Sequence, residues 1–482
     1  MSASIGATAD ETVDLLVIGG GVAGLSAAIT AAEQGADVLL VEKQDQLGGS
    51  APWSAGHLLD LTGDRAVDHL AALAFGRTPR EVLEAYAAGL SELRGWLAEH
   101  GAVGVDVDPR RVPNCWPTFP GADGVKYYVI PGERGSGVAL ADALISSAQS
   151  LGVRIETGTS MVNLVTDVDG SVIGAEVSAG GTARRVAARA GVVLTLGGFE
   201  HNAAMTEAYL PVHPLLPVGN PGNTGDGLRA ATAVGAALWH MSNYYGFWCY
   251  PAPANSAEPA ANYPLLFFGP GHLLVDPDGR RFLAETGREP HDSMRMIGDY
   301  LPDRLNQPSL PAVVIFDRAM LEMGPLCIFR APGRSDWSAD NARELELGWI
   351  HQAGSVAELA AQLDIPEQSL TATIEGYNAA AVAGVDADFF RPAASMSPVD
   401  TTELFAVEIW PGVATVGGGP RRDGSARVIG HDCQPIPGLF AAGTGSVWGH
   451  LTEHGGGLTD GMVFGAIAAR TALARDGAAL PG

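Results

Sequence analysis

The chain has 482 residues, 46% hydrophobic and only 17% charged, enough for two or three domains with real cores and outside the composition of disordered or fibrous proteins. Its formal charge of −25 repels nucleic acid and anionic lipid surfaces, so neither is an expected partner. Four scattered cysteines (Cys115, Cys249, Cys327, Cys433) show neither metal-ligand spacing nor a disulfide framework. The first residues lack a basic region followed by an apolar stretch, and no apolar run reaches ~18 residues, so a soluble cytoplasmic protein is expected.

Residues 13–18 read as a buried strand, apolar except for Asp14. Gly19-Gly20-Gly21-Val22-Ala23-Gly24 is a G-x-G-x-x-G, residues 25–34 form an Ala-rich helix closed by Gly35, and residues 36–41 are a second strand ending at Glu42. In such a unit Gly19 permits the tight turn, Gly21 lets the backbone approach a pyrophosphate, and Gly24 allows helix and strand to pack closely. The helix N-terminus, at Val22 and Ala23, offers unpaired N–H groups and a partial positive charge to the phosphates. Glu42 is placed to accept hydrogen bonds from a ribose diol, with Lys43 beside it. Glycine motif, helix, second strand and terminal acid in this order predict a dinucleotide site. A second glycine-rich stretch follows directly, with Gly48, Gly49 and Ser50, then Ser54, Ala55 and Gly56.

That second stretch resembles the "GG(S/T)…SGG" segment lying along FAD in the fumarate reductase and succinate dehydrogenase flavoprotein superfamily. The likeness continues through residues 133–165, a helix and strand containing Val162, and through 188–202, a strand ending at Gly197-Gly198-Phe199. It extends to Thr224-Gly225-Asp226-Gly227 before an Ala-rich helix, to 276–289 with a "G-x-R-F-x-x-E" element, and to 436–446, similar to the "P-G-L-(Y/F)-A-A-G" strand that returns to the flavin. The resemblance implies FAD as cofactor, with Val162, Gly197, Asp226, Gly443, Thr444, Gly457 and Leu458 joining the residues above in holding it. The linked relatives' histidine position falls on Ser50, and His57 is displaced from it, so non-covalent FAD is expected. The implied fold is α/β: a Rossmann-like FAD-binding domain over 1–245 and 405–482, with an inserted α+β capping (substrate) domain over 246–404.

Fumarate reductases hold a dicarboxylate with histidines and arginines; this chain has Val413–Gly418 where their histidines stand, without histidine, and His450–Gly457 in their next element, without arginine, and Arg288 alone sits near their acid-donating arginine. A buried dicarboxylate without its clamp is an uncompensated charge. The 3-ketosteroid dehydrogenase branch matches better, through Val447-Trp448-Gly449-His450, Gly455 to Leu458 and Met462-Val463-Phe464-Gly465. There a tyrosine before a Pro/Gly-rich run resembles Tyr128 or Tyr127, and Tyr128 is the expected base, needing help because an ordinary tyrosine titrates near ~10. The glycine N–H that polarises the ketone resembles Gly455. The branch's two other tyrosines fall on Leu451 or Thr452 and near Glu289 to His291, so His291 and His454 are the available donors, with Glu453 orienting one of them. The resemblance implies an FAD-dependent desaturase or ene-reductase acting beside the carbonyl of a small, apolar, cyclic substrate, with an electron acceptor or donor as second partner. A reductase of unsaturated carboxylates using Arg288, and a non-catalytic flavin-binding subunit, are the alternatives. His450-x₃-His454 lies among glycines with no third ligand near, so no metal is expected. The aromatic run 243–250 suits an apolar pocket or hinge packing, and Arg421-Arg422 a solvated turn.

Overall fold

The computed structural model describes residues 9–253, 261–267, 269–286, 310–328, 335–443 and 445–476. The chain divides into two compact units, one of Met1–Leu210, Gly219–Tyr244 and Thr415–Gly482, the other of Pro211–Val218 and Tyr245–Ala414. The strand Leu404–Val416 therefore belongs to the second unit for all but its last two residues, whereas the sequence suggested a return to the first unit at 405.

In the first unit, β1 (Glu11–Ile18) turns through the glycines into α1 (Val22–Glu33) and returns as β2 (Val38–Val41). A small antiparallel sheet follows, made of β3 (His57–Leu61), β4 (Val105–Asp106) and β5 (Val125–Val129) with β5 central; α2 (Ala66–Ala74) and α3 (Arg80–Glu99) lie between its first two strands in sequence. Then come α4 (Ser136–Ser150), β6 (Arg154–Glu156), β7 (Thr159–Thr166), β8 (Val172–Ala179) and β9 (Thr182–Leu194). The main sheet runs Arg427–Ile429, Pro435–Ala441, β9, β1, β2, β6, with β8 and then β7 continuing from β9. Pairing is parallel from Pro435–Ala441 through β6. A first strand in mid-sheet with parallel neighbours on both sides is a doubly wound arrangement, in which ligands sit beyond the carboxyl ends of the strands. The register sets that edge: Ile18 pairs with Val41 on one side and Leu194 on the other, so Gly19, Glu42 and Thr195 leave the sheet together.

The closing helix, Gly456–Asp476, lies against α1, and Gly465 makes this possible: a β-carbon there would fall 2.2 Å from the Ala23 carbonyl oxygen. The same helix buries Asp460 against Arg422, whose Nη2 donates to Asp460 Oδ1 and Oδ2 at 2.7 and 2.8 Å while its guanidinium covers the Phe464 ring at 3.9 Å. Arg422 is 1% exposed, so the expected solvated turn is a buried ion pair instead. Burial drives the Asp460 carboxyl above the ordinary range against the pull of Arg422, and Val447 N–H also donates to it.

The second unit is built on a mixed sheet in the order Asn262–Leu265, Tyr244–Pro251, Leu404–Val416, Ala312–Asp317, His272–Val275, with Leu216–Pro217 and His351–Ala353 also paired to Leu404–Val416. Leu273, Ile315, Leu370, Ile374 and Leu404 form its core. Its "G-x-R-F-x-x-E" element is structural: Arg281 donates to both oxygens of Glu285 and both of Asp386, and Glu285 also receives Arg391. All four side chains are at most 6% exposed, so each charge is neutralised where water cannot reach it. In the aromatic run, Tyr250 packs on Trp349 at 5.2 Å and edge-on to Trp337.

Candidate functional site

The dinucleotide cradle forms where β1, β2 and β9 end. Gly19 has φ +111°, and a β-carbon on it would lie 2.3 Å from the Thr195 carbonyl oxygen, so only glycine makes this turn. Gly21 and Gly48 form a backbone bridge, and a β-carbon on Gly49 would fall 2.8 Å from Gly21 Cα; the two glycine-rich loops thus meet backbone to backbone. α1 starts with no side-chain cap and no acidic residue in its first turn, which leaves the N–H groups of Val22, Ala23 and Gly24 for an anion. Glu42, 8% exposed, accepts Gly20 N–H at 2.7 Å and Gln44 N–H at 2.8 Å, which fixes its carboxylate at the end of β2 and leaves lone pairs for a diol.

Other residues of the expected cofactor set are tied to the same place. Lys43 Nζ donates to Asp226 Oδ2 at 2.6 Å and to Thr224 Oγ1 at 2.8 Å. Asn223 donates to Ser50 Oγ at 3.1 Å and presses on Gly197, where a β-carbon would lie 2.1 Å from its Oδ1. Ser54 bonds the Ala51 carbonyl oxygen, spans Ala55 to receive Gly56 N–H, and sets Gly56 against the start of α4. Gly443 returns to α1 beside Ala23. Val162, on β7, is 46% exposed, and Gly457 and Leu458 are in the first turn of the closing helix. A helix end free of acid, a held carboxylate and side-chain-free loops fit the pyrophosphate and ribose of a dinucleotide.

A second cluster gathers just before the closing helix. Gly455, with φ +74°, lies so close to β3 that a β-carbon would fall 2.8 Å from the His57 carbonyl oxygen and 2.9 Å from Leu59 N. Leu59 is the register partner of Tyr127 across the β3–β5 pair, which brings Tyr127 to the loop. There its hydroxyl donates to Glu453 Oε1 at 2.5 Å. Glu453 Oε2 meets His69 Nε2, on α2, at 2.9 Å, and His69 Nδ1 meets the Pro120 carbonyl oxygen at 3.0 Å. Glu453 and His69 are fully buried and Tyr127 is 5% exposed. Burial first, then Cys115 and Glu453, push the Tyr127 phenol far above its ordinary value. The His454 ring stands edge-on to Tyr127 at 5.4 Å, and its Nε2 lies 2.8 Å from His57 Nδ1. Burial lowers the His57 pKa.

The structure thus brings Tyr127, His454 and Gly455 together and leaves Tyr128 apart. Adjacent residues of a strand face opposite sides, and Tyr128, 1% exposed, points into the core beneath Arg94, with no hydrogen-bond partner for its hydroxyl among the described residues. Arg288, His291 and Thr444 lie outside the described residues. His69 was missed: a lone histidine in an Ala-rich helix, many residues from Glu453, carries no local signal. Glu200 was missed as well. It follows Gly197-Gly198-Phe199, is 2% exposed, receives Val416 N–H at 3.1 Å, and is pushed up to about 7 by burial.

Over residues 14–459 the chain matches the FAD binding domain family. It is 27% identical to 4-oxocyclohexanecarboxylate 2-dehydrogenase of Sinomonas cyclohexanicum, across 96% of this chain and 93% of that protein. It is 28% identical to 3-oxosteroid 1-dehydrogenase of Mycolicibacterium smegmatis, across 95% and 97%, and 26% identical to a cytochrome-type fumarate reductase of Shewanella frigidimarina, across 98% and 78%. In fold it is similar to the 3-ketosteroid Δ1-dehydrogenase of Sterolibacterium denitrificans, with a TM-score of 0.82 at 22% identity over 97% of this chain and all of that one. No helix among the described residues is long and apolar enough to cross a membrane. With the match running from the first strand into the closing helix, the chain belongs to the FAD binding domain family, in the part shared by ketosteroid dehydrogenases and fumarate reductases, and FAD is its cofactor.

Proposed function

We propose that the protein is a cytoplasmic FAD-dependent oxidoreductase acting on the CH–CH bond beside the carbonyl of a cyclic, largely apolar ketone, as a desaturase or as the reverse enone reductase. The observation that carries this reading is the grouping of Tyr127, His454 and Gly455 at one loop of the FAD-binding unit. Cyclic ketones are also what the names of two relatives share, one a 4-oxocyclohexanecarboxylate and the other a 3-oxosteroid dehydrogenase. When bound, FAD supplies the two-electron hydride chemistry. Tyr127, rather than Tyr128, exchanges the proton on the carbon next to the carbonyl, a role worth ~10²–10⁴ in rate. Gly455 N–H and the His454 imidazole polarise the ketone oxygen as charge builds on it, with the positive end of the closing helix behind them. His454 stays oriented through His57. The second unit is assigned to the substrate on the order of elements alone, and Arg288 and His291 belong to that assignment.

Anaerobic mixing of the holoenzyme with saturated cyclic ketones tests the reading. Bleaching of the flavin absorbance by cyclohexanones or 3-ketosteroids, and recovery of colour in the reduced enzyme on adding the matching enones, are expected. Recovery with fumarate or acrylate and with no enone would replace this reading with reduction of unsaturated carboxylates, the activity named for other relatives.

A further inference from the structure

The proposed reaction leaves Tyr127 with a difficulty. A phenol so enclosed, with a carboxylate and a thiol as neighbours, does not persist as its anion, so it cannot take a proton from carbon and simply hold the deficit. Its hydrogen bond leads elsewhere. The hydroxyl donates to Glu453 Oε1, and the other Glu453 oxygen faces His69 Nε2. The far side of the His69 ring settles where the protons are. Nδ1 lies 3.0 Å from the Pro120 carbonyl oxygen, which can only accept, so Nδ1 carries a hydrogen. The 2.9 Å contact between His69 Nε2 and Glu453 Oε2 then needs one further proton between them, as imidazolium with carboxylate or as imidazole with carboxylic acid. Either way the buried Tyr127–Glu453–His69 chain is neutral at rest and has room for one more proton, on Glu453.

We propose that Glu453 and His69 form the proton store through which Tyr127 works, an inference resting on the function proposed above. As the substrate carbon gives its proton to the Tyr127 oxygen, the Tyr127 O–H passes its own proton to Glu453 Oε1. From carboxylate with imidazolium, one C–H bond breaks, two O–H bonds form and one O–H bond breaks; from carboxylic acid with imidazole, the Glu453 Oε2 proton also passes to His69 Nε2. Tyr127 ends as it began, a neutral phenol, and the chain ends as carboxylic acid plus imidazolium, carrying one added positive charge. In the reducing direction every proton moves the other way. The electrons leave or enter only in the hydride half of the reaction, which this step does not touch. Glu453 and His69 are positioning residues, since of the three members of the chain Tyr127 alone meets the substrate. His454, edge-on to the Tyr127 ring and paired with His57, and Cys115, whose Sγ lies 3.8 Å from the Tyr127 oxygen, are titratable groups that face the chain. Neither stands between Tyr127 and Glu453.

Glu453→Gln is the informative change. The amide oxygen still accepts from Tyr127 and the amide N–H₂ donates to a bare His69 Nε2, so packing is preserved while the proton acceptor is lost. The expected result in anaerobic single turnover is a ~10²–10⁴-fold slower flavin reduction by the ketone, with flavin content and half-saturating ketone unchanged. Reoxidation of chemically reduced enzyme by ferricyanide, which requires no carbon acid, keeps its wild-type rate. Glu453→Asp restores part of the loss. The second measurement needs no turnover: ¹⁵N spectra of labelled histidines in the oxidised holoenzyme, with the His69 signals identified by their absence in His69→Gln. Wild-type His69 should show a proton shared between Nε2 and Glu453, and Glu453→Gln should move the Nε2 signal to that of a neutral imidazole accepting an amide N–H. Full-speed reduction in Glu453→Gln, or a wild-type His69 whose Nε2 signal is the same as in Glu453→Gln, overturns the proposal. A wild-type enzyme bleached by no ketone would sink the proposed function instead, and the histidine spectra would still decide the proton store.

Discussion

Gly455→Ala, Gly456→Ala and Gly457→Ala each add one carbon at three consecutive positions, and the structure assigns them three different outcomes. At Gly455 the backbone is left-handed, which costs about 1–2 kcal/mol for a residue with a β-carbon. The new carbon would also sit 2.8–2.9 Å from the His57 carbonyl and Leu59 N. Those atoms belong to a paired strand and cannot turn aside, so crowding adds about 1–3 kcal/mol. Relief requires the loop to move off β3, which carries Glu453 away from Tyr127. At Gly456 φ is not left-handed, but the new carbon would meet Trp448 Cζ2 at 2.2 Å, and that indole is 3% exposed; only the crowding cost of about 1–3 kcal/mol applies. At Gly457 nothing lies within 4 Å and the residue is in a helix, where alanine is favoured by about 0.5–1 kcal/mol. Urea midpoints of the three holoenzymes should therefore rank Gly457→Ala at or above wild type, Gly456→Ala below it and Gly455→Ala lowest, with ketone-driven flavin reduction lost most in Gly455→Ala. Equal midpoints for Gly455→Ala and Gly457→Ala would refute the placement of Gly455 against β3. Loss of FAD from Gly457→Ala alone would move the close backbone approach two residues on.

Two further outcomes follow from buried charge. Glu200, pushed up to about 7 by burial, binds its proton more tightly folded than unfolded, so its favourable contribution is complete below the ordinary carboxylate range and is lost as pH rises through about 7. The loss is roughly 3 kcal/mol, and Glu200→Gln, which keeps an acceptor for Val416 N–H, should gain stability over wild type at pH 8 but not at pH 4.5 in parallel urea titrations; no pH dependence of that difference would count against an ionised, desolvated Glu200. Asp460→Asn leaves the Arg422 cation buried beside Phe464 and should cost about 3–5 kcal/mol, whereas replacing both charges with leucine and methionine should recover most of it, again by urea unfolding; equal losses in the single and double variants would speak against a desolvated pair.

The nucleotide end was legible because each of its requirements is local. A turn that tolerates no β-carbon, a helix start without acid and a carboxylate at the next strand's end fall within one strand–helix–strand unit, so periodicity and glycine spacing display them. The proton chemistry was not legible in the same way. Whether Tyr127 or Tyr128 faces the loop depends on the register of β5 against β3, and a strand shifted by one residue exchanges the two faces. The partners of Glu453 come from α2 and β5, and Arg422 finds Asp460 on the closing helix, none within reach of a sequence window. The "G-x-R-F-x-x-E" element shows the converse: its pattern was visible, but its purpose, two arginines neutralising two carboxylates inside the second unit, appears only when Asp386 and Arg391 arrive from elsewhere.

The electrostatics of the Thr452–Gly455 loop bear on which substrates suit it. His57 and His454 meet ring nitrogen to ring nitrogen at 2.8 Å, a contact that needs one donor and one acceptor, so the two cannot both be cations. Burial lowers the His57 pKa and so favours its neutral form. The Glu453 carboxyl, on the same loop, is engaged by His69 Nε2 at 2.9 Å and by the Tyr127 hydroxyl. With His454 neutral as well, what this cluster offers a substrate is oriented dipoles: an N–H at Gly455, an imidazole at His454 and a helix end behind them. Such groups give little to a full anion in the ground state, which would have to shed its hydration without a counter-charge. They act most on an oxygen that is nearly neutral when it binds and gains charge only as the neighbouring proton leaves, which is the condition for binding energy to appear as rate. A ketone oxygen meets that condition and a carboxylate does not, so under the proposed function the loop would favour a ketone at the reacting carbon even for a substrate that bears an acid elsewhere.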